Sequence, residues 1–144
     1  MHSSIGSTPP KSAVHYWLDL SAGLAYITVG VRFNAFRHFL DAIDTLIANP
    51  AWQPGTPVLE DLRDCDWTPP PTAIEEWRAY VARRQPMLNG CRWAVVMRGG
   101  NPAIASILDT AANDAAPGGV LLKRFTDTID AHLWLKLSAS GSKA

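Results

Sequence analysis

The chain has 144 residues, 47% of them hydrophobic and 18% charged, and its 13 basic side chains balance 13 acidic ones. This length suits one domain that buries a core without disulfides or structural metals. Because the charges balance, no overall positive field attracts nucleic acid or anionic membranes, so neither is an expected partner.

The two ends of the chain are expected to lie outside the folded domain. Residues 1–12, "MHSSIGSTPPKS", contain neither the apolar segment of a signal peptide nor a basic cluster. No apolar run reaches the roughly 20 residues of a membrane-spanning helix. We therefore predict a cytoplasmic protein with a disordered segment over residues 1–12, one domain over residues 13–137 and a flexible tail over residues 138–144.

Apolar periodicity predicts a hairpin, a helix and a strand in the first part of the domain. The alternating segments Val14–Leu20 and Leu24–Val31 flank a short turn and indicate antiparallel strands. Helical spacing of apolar residues over Phe36–Ile47 predicts an amphipathic helix with Asn34 as its cap. The segment Pro57–Arg63 then has the composition of a buried strand.

A second helix and a central strand follow. Thr72 and Glu75 have the spacing of a capping box, which predicts that the helix starts at Thr72. Pro86 should end or kink the last turn of this helix. The continuous apolar run Cys91–Met97 is typical of a strand that is covered on both faces.

The remaining elements complete an α/β domain. Asn101-Pro102 is typical of a helix start, Val120–Phe125 is a last strand, and Thr126 or Asp127 caps a final helix. The order is therefore β-β-α-β-α-β-α-β-α. We predict a five-stranded, mostly parallel sheet with an antiparallel first strand and four helices.

Several segments together resemble the SpoIIAA-like proteins, whose fold is shared by STAS and CRAL-TRIO-type domains. They are Gly30 within "ITVGVRFNAFRHFL", "VLEDLRDCD" at Val58–Asp66, "AIEEW", "GCRWAVVM" at Gly90–Met97, and "FTDTIDAHLWL" at Phe125–Leu135. The resemblance covers roughly residues 14–137. It implies helices packed along a sheet, and roles in protein regulation or in the binding of small or lipid-like ligands.

The resemblance also has a departure that bears on function. Regulatory members similar to bacterial anti-anti-sigma factors carry an Asp-Ser-Ser-Gly motif after the third strand, and a kinase phosphorylates one of its serines. The matching segment Arg63–Thr68, "RDCDWT", contains no serine. Thr68 and Thr72 are hydroxyl alternatives, but Thr72 is already assigned to the helix cap. A phosphorylation switch of that kind is not expected here.

Ligands of parallel α/β sheets bind at the carboxyl ends of the strands, where helix amino-termini converge. The residues expected at that edge form a ligand or partner surface: Arg32, Asn34, Arg63, Asp64, Cys65, Asp66, Trp67, Arg98, Gly99, Gly100 and Asn101. The arginines suit an anionic group. The competing interpretation is that they pair with nearby aspartates. The "RGGN" segment lacks a phosphate-loop pattern, and we expect neither a metal nor a cofactor.

Cys65 is the one nucleophile that this edge offers, and it lacks an evident base. The histidines are His2, His15, His38 and His132, and none follows a strand of the predicted edge. Cys91 begins the strand after Cys65, so parallel strands would hold the two thiols at opposite ends of the sheet. We therefore expect no disulfide between them.

The six tryptophans allow for a pocket. Trp17, Trp77, Trp93 and Trp134 lie in predicted strands or helices and are expected in the core, whereas Trp52 and Trp67 lie in loops. Loop aromatics mark either a contact surface or a core cap. Together with Phe36 and Phe39, these rings leave room for an apolar pocket.

Three hypotheses follow. The first is a non-enzymatic STAS-like binding or regulatory domain that acts through a protein partner or a small apolar or anionic ligand, with a homodimer as one option. The alternative is a CRAL-TRIO-like binder of a lipid-like or amphipathic molecule. The third is an enzyme that uses Cys65 or the nearby aspartates. An apolar cavity between a helix and the sheet would favour the alternative, and a flat exposed apolar patch would favour the first.

Overall fold

The computed structural model describes residues 4–5, 13–31, 33, 35–99 and 102–141. The strands are β1 (Ser4–Ile5), β2 (Val14–Asp19), β3 (Leu24–Val29), β4 (Val58–Asp61), β5 (Arg92–Val96) and β6 (Leu121–Phe125). The helices are α1 (Phe36–Ala48), α2 (Pro71–Arg83), the single turn α3 (Gln85–Leu88), α4 (Pro102–Ala115) and α5 (Thr128–Gly141). None of the described helices is long and apolar enough to cross a membrane.

The strands lie in one sheet in chain order, β1-β2-β3-β4-β5-β6. β1, β2 and β3 pair antiparallel, and β3, β4, β5 and β6 pair parallel. The predicted fold class is confirmed, because β2 to β6 are the five predicted strands and α1, α2, α4 and α5 are the four predicted helices. The additional features are β1 and α3.

The ends of the domain extend beyond the prediction. Ser4 and Ile5 lie in the segment that was expected to be disordered, yet their backbone pairs with Asp19 and Leu18 of β2. This pairing satisfies backbone groups that would otherwise form an open edge. At the other end, α5 continues to Gly141, past the predicted domain boundary at residue 137.

Helices cover both faces of the sheet. The larger core packs α1, α2 and α4 against one face, around buried residues such as Ile27, Val58 and Trp93. The smaller core packs α5 against the other face, with Leu59 and Leu135 among its buried residues. The period of two in β-strands explains the division, because adjacent residues point to opposite faces.

The start of α2 differs from the prediction. Pro70 is the N-cap and Pro71 the first helical residue, and no side chain caps this helix. Thr72 therefore lies inside the first turn, exposed, and the capping box with Glu75 is wrong. Proline favours the first helical position because its fixed φ suits the helix and it has no N–H to satisfy. The end of α2 at Arg83, before Pro86, agrees with the prediction.

The other predicted helix starts are resolved in part. Asp127 caps α5, because its Oδ1 accepts a 2.6 Å hydrogen bond from the backbone N–H of Ile129. Of the two predicted alternatives, Asp127 is therefore the cap. α4 begins at Pro102, as predicted, while Asn101 lies outside the described residues. α1 has Ala35 as its N-cap, and Asn34 also lies outside the described residues.

Substitutions at these two helix starts test the correction. We expect Asp127→Ala to lower the free energy of unfolding by about 1 kcal/mol, since it removes the α5 cap. Thr72→Ala should change it by less than about 0.5 kcal/mol, because Thr72 is exposed and caps nothing. Urea unfolding of both variants measures the difference. An equal loss in both would contradict the assignment.

Candidate functional site

An apolar cavity of ≈ 90 Å³ lies between the sheet and helices α1, α2 and α4. It extends to the carboxyl end of β4, where Leu62 and Cys65 line it. Its lining residues are apolar with one ionisable carboxyl and one thiol among them: Val29, Phe33, Phe36, Phe39, Glu60, Leu62, Cys65, Trp67, Pro69, Ala73, Ile74, Trp77, Ile104, Ile107, Leu108, Ala111 and Leu122.

Phe39 and Trp77 form an aromatic wall of the cavity, and Trp93, which does not line the cavity, packs against both rings. The ring centroids of Trp77 and Trp93 are 5.4 Å apart in an edge-to-face contact, and Phe39 lies 6.4 Å from each of them. Trp77 also donates a 3.1 Å hydrogen bond from Nε1 to the backbone oxygen of Ala111. This bond joins α2 to α4 and fixes the position of the Trp77 ring.

A polar cluster outside the cavity joins α1 to α2. Asp44 of α1 accepts hydrogen bonds from the Tyr80 hydroxyl at 2.7 Å and from the Arg84 Nε at 3.0 Å. Burial acts to raise the pKa of Asp44, but the hydrogen bonds from Arg84 and Tyr80 outweigh it and lower that pKa. The charged form of Asp44 is thus stabilised, and its hydrogen bonds link α1 to α2.

Glu60 is the buried charged residue of the described chain, with 7% of its surface exposed. It lies on β4 two residues after Val58, so both side chains face α1, α2 and α4. Its Oε1 accepts a 2.8 Å hydrogen bond from Trp93 Nε1 on the neighbouring strand. Burial raises the pKa of Glu60 from 4.5 to about 7, against a smaller lowering effect of the Trp93 hydrogen bond.

Two residues of the predicted surface line the cavity. The Trp67 ring packs edge-on against Phe33, with centroids 5.0 Å apart, and Cys65 is half-buried beside it. Burial raises the pKa of the Cys65 thiol, and the negative charge of Glu60 raises it further. A hydrogen bond with the Trp67 backbone lowers this pKa by less. Because the thiolate is the nucleophilic form, this environment disfavours reactivity.

Among the described residues, no hydrogen bond joins a histidine to Cys65. His132 of α5 is hydrogen-bonded through Nε2 to the Tyr26 hydroxyl at 3.0 Å, on the opposite face of the sheet. His38 is exposed on α1, and His15 lies on β2. Both cysteines are free, and they flank opposite ends of the parallel strands β4 and β5, as the sequence predicts.

Arg63, Asp64 and Arg98 of the predicted surface lie outside the cavity and have partners there. Arg63 binds Asp61 through two side-chain hydrogen bonds of 3.0 and 2.8 Å. Arg98 donates a 2.7 Å hydrogen bond to the backbone oxygen of Arg63 and lies 3.5 Å from Asp64. This arrangement agrees with the competing interpretation of the sequence, in which the arginines pair with nearby aspartates.

The remaining members of the predicted surface are exposed or lie outside the described residues. Asp66 and Gly99 are exposed. Arg32, Asn34, Gly100 and Asn101 lie outside the described residues. Within the part of the chain that the structure describes, no three His, Cys, Asp or Glu side chains are grouped to hold a metal ion.

Sequence analysis missed Glu60, although a signal was present. Glu60 interrupts the apolar run of a segment that was predicted to be a buried strand. Glutamate is almost never fully buried unless it is paired, so its presence there indicates a specific environment. Trp52, which was one of the two loop tryptophans, caps the core: it is 4% exposed and donates a 3.1 Å hydrogen bond to the Met87 backbone oxygen.

Comparison with known proteins identifies the fold. No family model matches the sequence, and no curated protein matches it either. Among solved structures, the chain is similar to an uncharacterized protein of the DUF3478 family from Shewanella loihica PV-4, described as having a SpoIIAA-like fold. The TM-score is 0.50 at 16% identity, over 78% of this chain and 83% of the other. The predicted SpoIIAA-like fold is thereby confirmed, and this similarity concerns the fold alone.

Proposed function

We propose that this SpoIIAA-like domain is a non-enzymatic binding protein for a small, mainly apolar molecule. The observation that carries the proposal is the cavity between the sheet and helices α1, α2 and α4. Ligand sites in proteins are typically concave, lined by apolar and aromatic side chains, and provided with a few polar groups that orient the ligand. This cavity has that composition, with Glu60 as its charged group.

The size of the cavity restricts the ligand. An apolar cavity of about 150 Å³ accommodates benzene. A cavity of ≈ 90 Å³ is smaller than that, so it suits a body no larger than a short branched chain of a few carbon atoms. This size favours a small amphipathic molecule over a long-chain lipid. Of the ligands in the CRAL-TRIO-like alternative, only the small amphipathic ones therefore fit the proposal.

The exposed apolar residues support a protein partner less well. The large ones are spread over the β2–β3 turn, the segment after β3, strand β6 and helix α5: Leu20, Val31, Leu121, Ile129 and Leu133. Single exposed apolar residues are normal on protein surfaces. A protein partner and a homodimer stay predictions. Because of the cavity, we place the small-ligand hypothesis ahead of both.

A titration with short branched compounds tests the proposal. We expect isopentane, isobutanol or isobutylamine to cause saturable changes in the amide NMR signals of α2, α4 and β4. Ile107→Trp should abolish these changes, because the larger ring fills the cavity from α4. Leu121→Trp is the matched control, since Leu121 is exposed on β6 and does not line the cavity.

Two outcomes would contradict the proposal. One is the absence of saturable changes with all three compounds. The other is a response that Ile107→Trp leaves intact, because the compounds would then bind elsewhere.

A further inference from the structure

The carboxyl group of Glu60 is a buried acceptor that faces the cavity. Trp93 donates to its Oε1, and no ion pair to Glu60 is formed by the described residues. Glu60 lines the same cavity as the rings of Phe39 and Trp77. The cavity therefore combines apolar walls with a carboxyl group that accepts one hydrogen bond, from a neutral donor, among the described residues.

The nearby cations have other partners. Arg63 binds Asp61, and Arg98 binds the Arg63 backbone oxygen and lies close to Asp64. A buried carboxylate is costly unless it is paired with a positive charge and hydrogen-bonded. Since the described residues supply one neutral donor to Glu60, a positively charged ligand group would complete its environment.

We infer that the cavity binds a primary amine with a small apolar body, whose ammonium group donates a hydrogen bond to the Glu60 carboxylate. This inference rests on the proposed function and specifies its ligand class. The aromatic wall supports it, because an ammonium ion is attracted to the faces of tryptophan and phenylalanine rings. A carboxylate ligand, by contrast, would be repelled by Glu60.

The binding of such an amine should depend on pH through Glu60. The residues of α1, α2, α4, β3 and β6 that share the cavity with Glu60 are apolar or aromatic. From β5, Trp93 donates its hydrogen bond to Glu60. Cys65, from the segment after β4, is the other titratable group of the cavity, and burial raises its pKa. Amine binding should therefore strengthen as pH rises and Glu60 ionises, with release of a proton from Glu60 near neutral pH.

Three ligands of equal size test the inference. Isopentane, isobutanol and isobutylamine share one short branched chain and differ in its terminal methyl, hydroxyl or amino group. At pH 8 we expect wild-type protein to bind isobutylamine at least about tenfold more tightly than isopentane. Glu60→Gln should remove this preference and keep isopentane binding. Asp61→Asn is the matched control, because Asp61 is the next residue on β4 and does not line the cavity.

Calorimetry in buffers of different ionisation enthalpy gives a second readout. Isobutylamine binding to the wild type near pH 7 should release protons, and binding to Glu60→Gln should not. The inference is overturned if isobutylamine binds no more tightly than isopentane, if isobutanol binds as tightly as the amine, or if the preference persists in Glu60→Gln. Failure of all three compounds to bind would instead refute the proposed function itself.

Discussion

Glu60→Gln should raise the free energy of unfolding at pH 8 by up to about 3 kcal/mol. The pKa of Glu60 is about 7 in the folded protein, compared with 4.5 for the ordinary side chain. At pH 8 the folded protein therefore holds a buried charge that glutamine lacks. Since one pKa unit corresponds to about 1.4 kcal/mol, the difference amounts to about 3 kcal/mol.

The sign of the pH dependence follows from the same shift. Between pH 4.5 and pH 7 the unfolded chain loses the Glu60 proton while the folded protein retains it. The stability that the raised pKa provides is therefore complete below about pH 4.5 and is lost as pH rises through about 7. Wild-type stability should fall across this window, and Glu60→Gln should remove that fall.

Urea unfolding at pH 5 and pH 8 measures this effect. Glu75→Gln is the matched control, because Glu75 is exposed on α2, and it should change the free energy of unfolding by less than about 0.5 kcal/mol. Parallel pH profiles for wild type and Glu60→Gln would show that Glu60 is not buried as described.

Trp93→Ala should cost about 4 kcal/mol of unfolding free energy. The Trp93 side chain is fully buried, contacts Phe39 and Trp77, and donates the one hydrogen bond to Glu60. Removing a buried ring leaves a cavity, and such substitutions typically lower the free energy of unfolding by about 3–5 kcal/mol. The loss of the Glu60 hydrogen bond adds to this cost at pH 8, when Glu60 is charged.

A second variant separates packing from hydrogen bonding. Trp93→Phe keeps an aromatic ring and removes Nε1, so it should cost about 1–3 kcal/mol, with the larger value at pH 8. Trp17→Phe is the control, because Trp17 is half-buried and stacks on Tyr26 away from Glu60. A cost of Trp93→Phe that is equal at pH 5 and pH 8 would contradict the proposed role of the hydrogen bond.

The fold could be predicted from the sequence because its signals are local. The alternation of β2 and β3, the apolar spacing of α1 and the continuous apolar run of β5 each indicate one element. Asp127 and Pro102 mark helix starts by their own chemistry. The same reasoning failed at Thr72, where a capping pattern competed with two prolines, and the prolines determined the start of α2.

The cavity could not be predicted in the same way because it depends on several elements at once. Its lining comes from α1, α2, α4 and strands β3, β4 and β6, and the space between them depends on how large side chains such as Trp77 pack. The sequence predicted a polar surface at the strand ends and left room for an apolar pocket near Phe36 and Phe39, without placing it between particular elements. Cys65 and Trp67 lie near that edge and line the cavity, whereas Arg63 and Arg98 form pairs at the surface.

The exposed edge strand β6 has a consequence for self-association. Lys123 is the middle residue of Leu121–Phe125 and is exposed, as is the neighbouring Arg124. If two copies joined their β6 strands antiparallel about a two-fold axis, Lys123 would face its own copy, and like charges directly opposite are destabilising. Charged edge strands of this kind resist the growth of one sheet into the next molecule. A homodimer, if formed, should therefore use the helical faces instead of extending the sheet at β6.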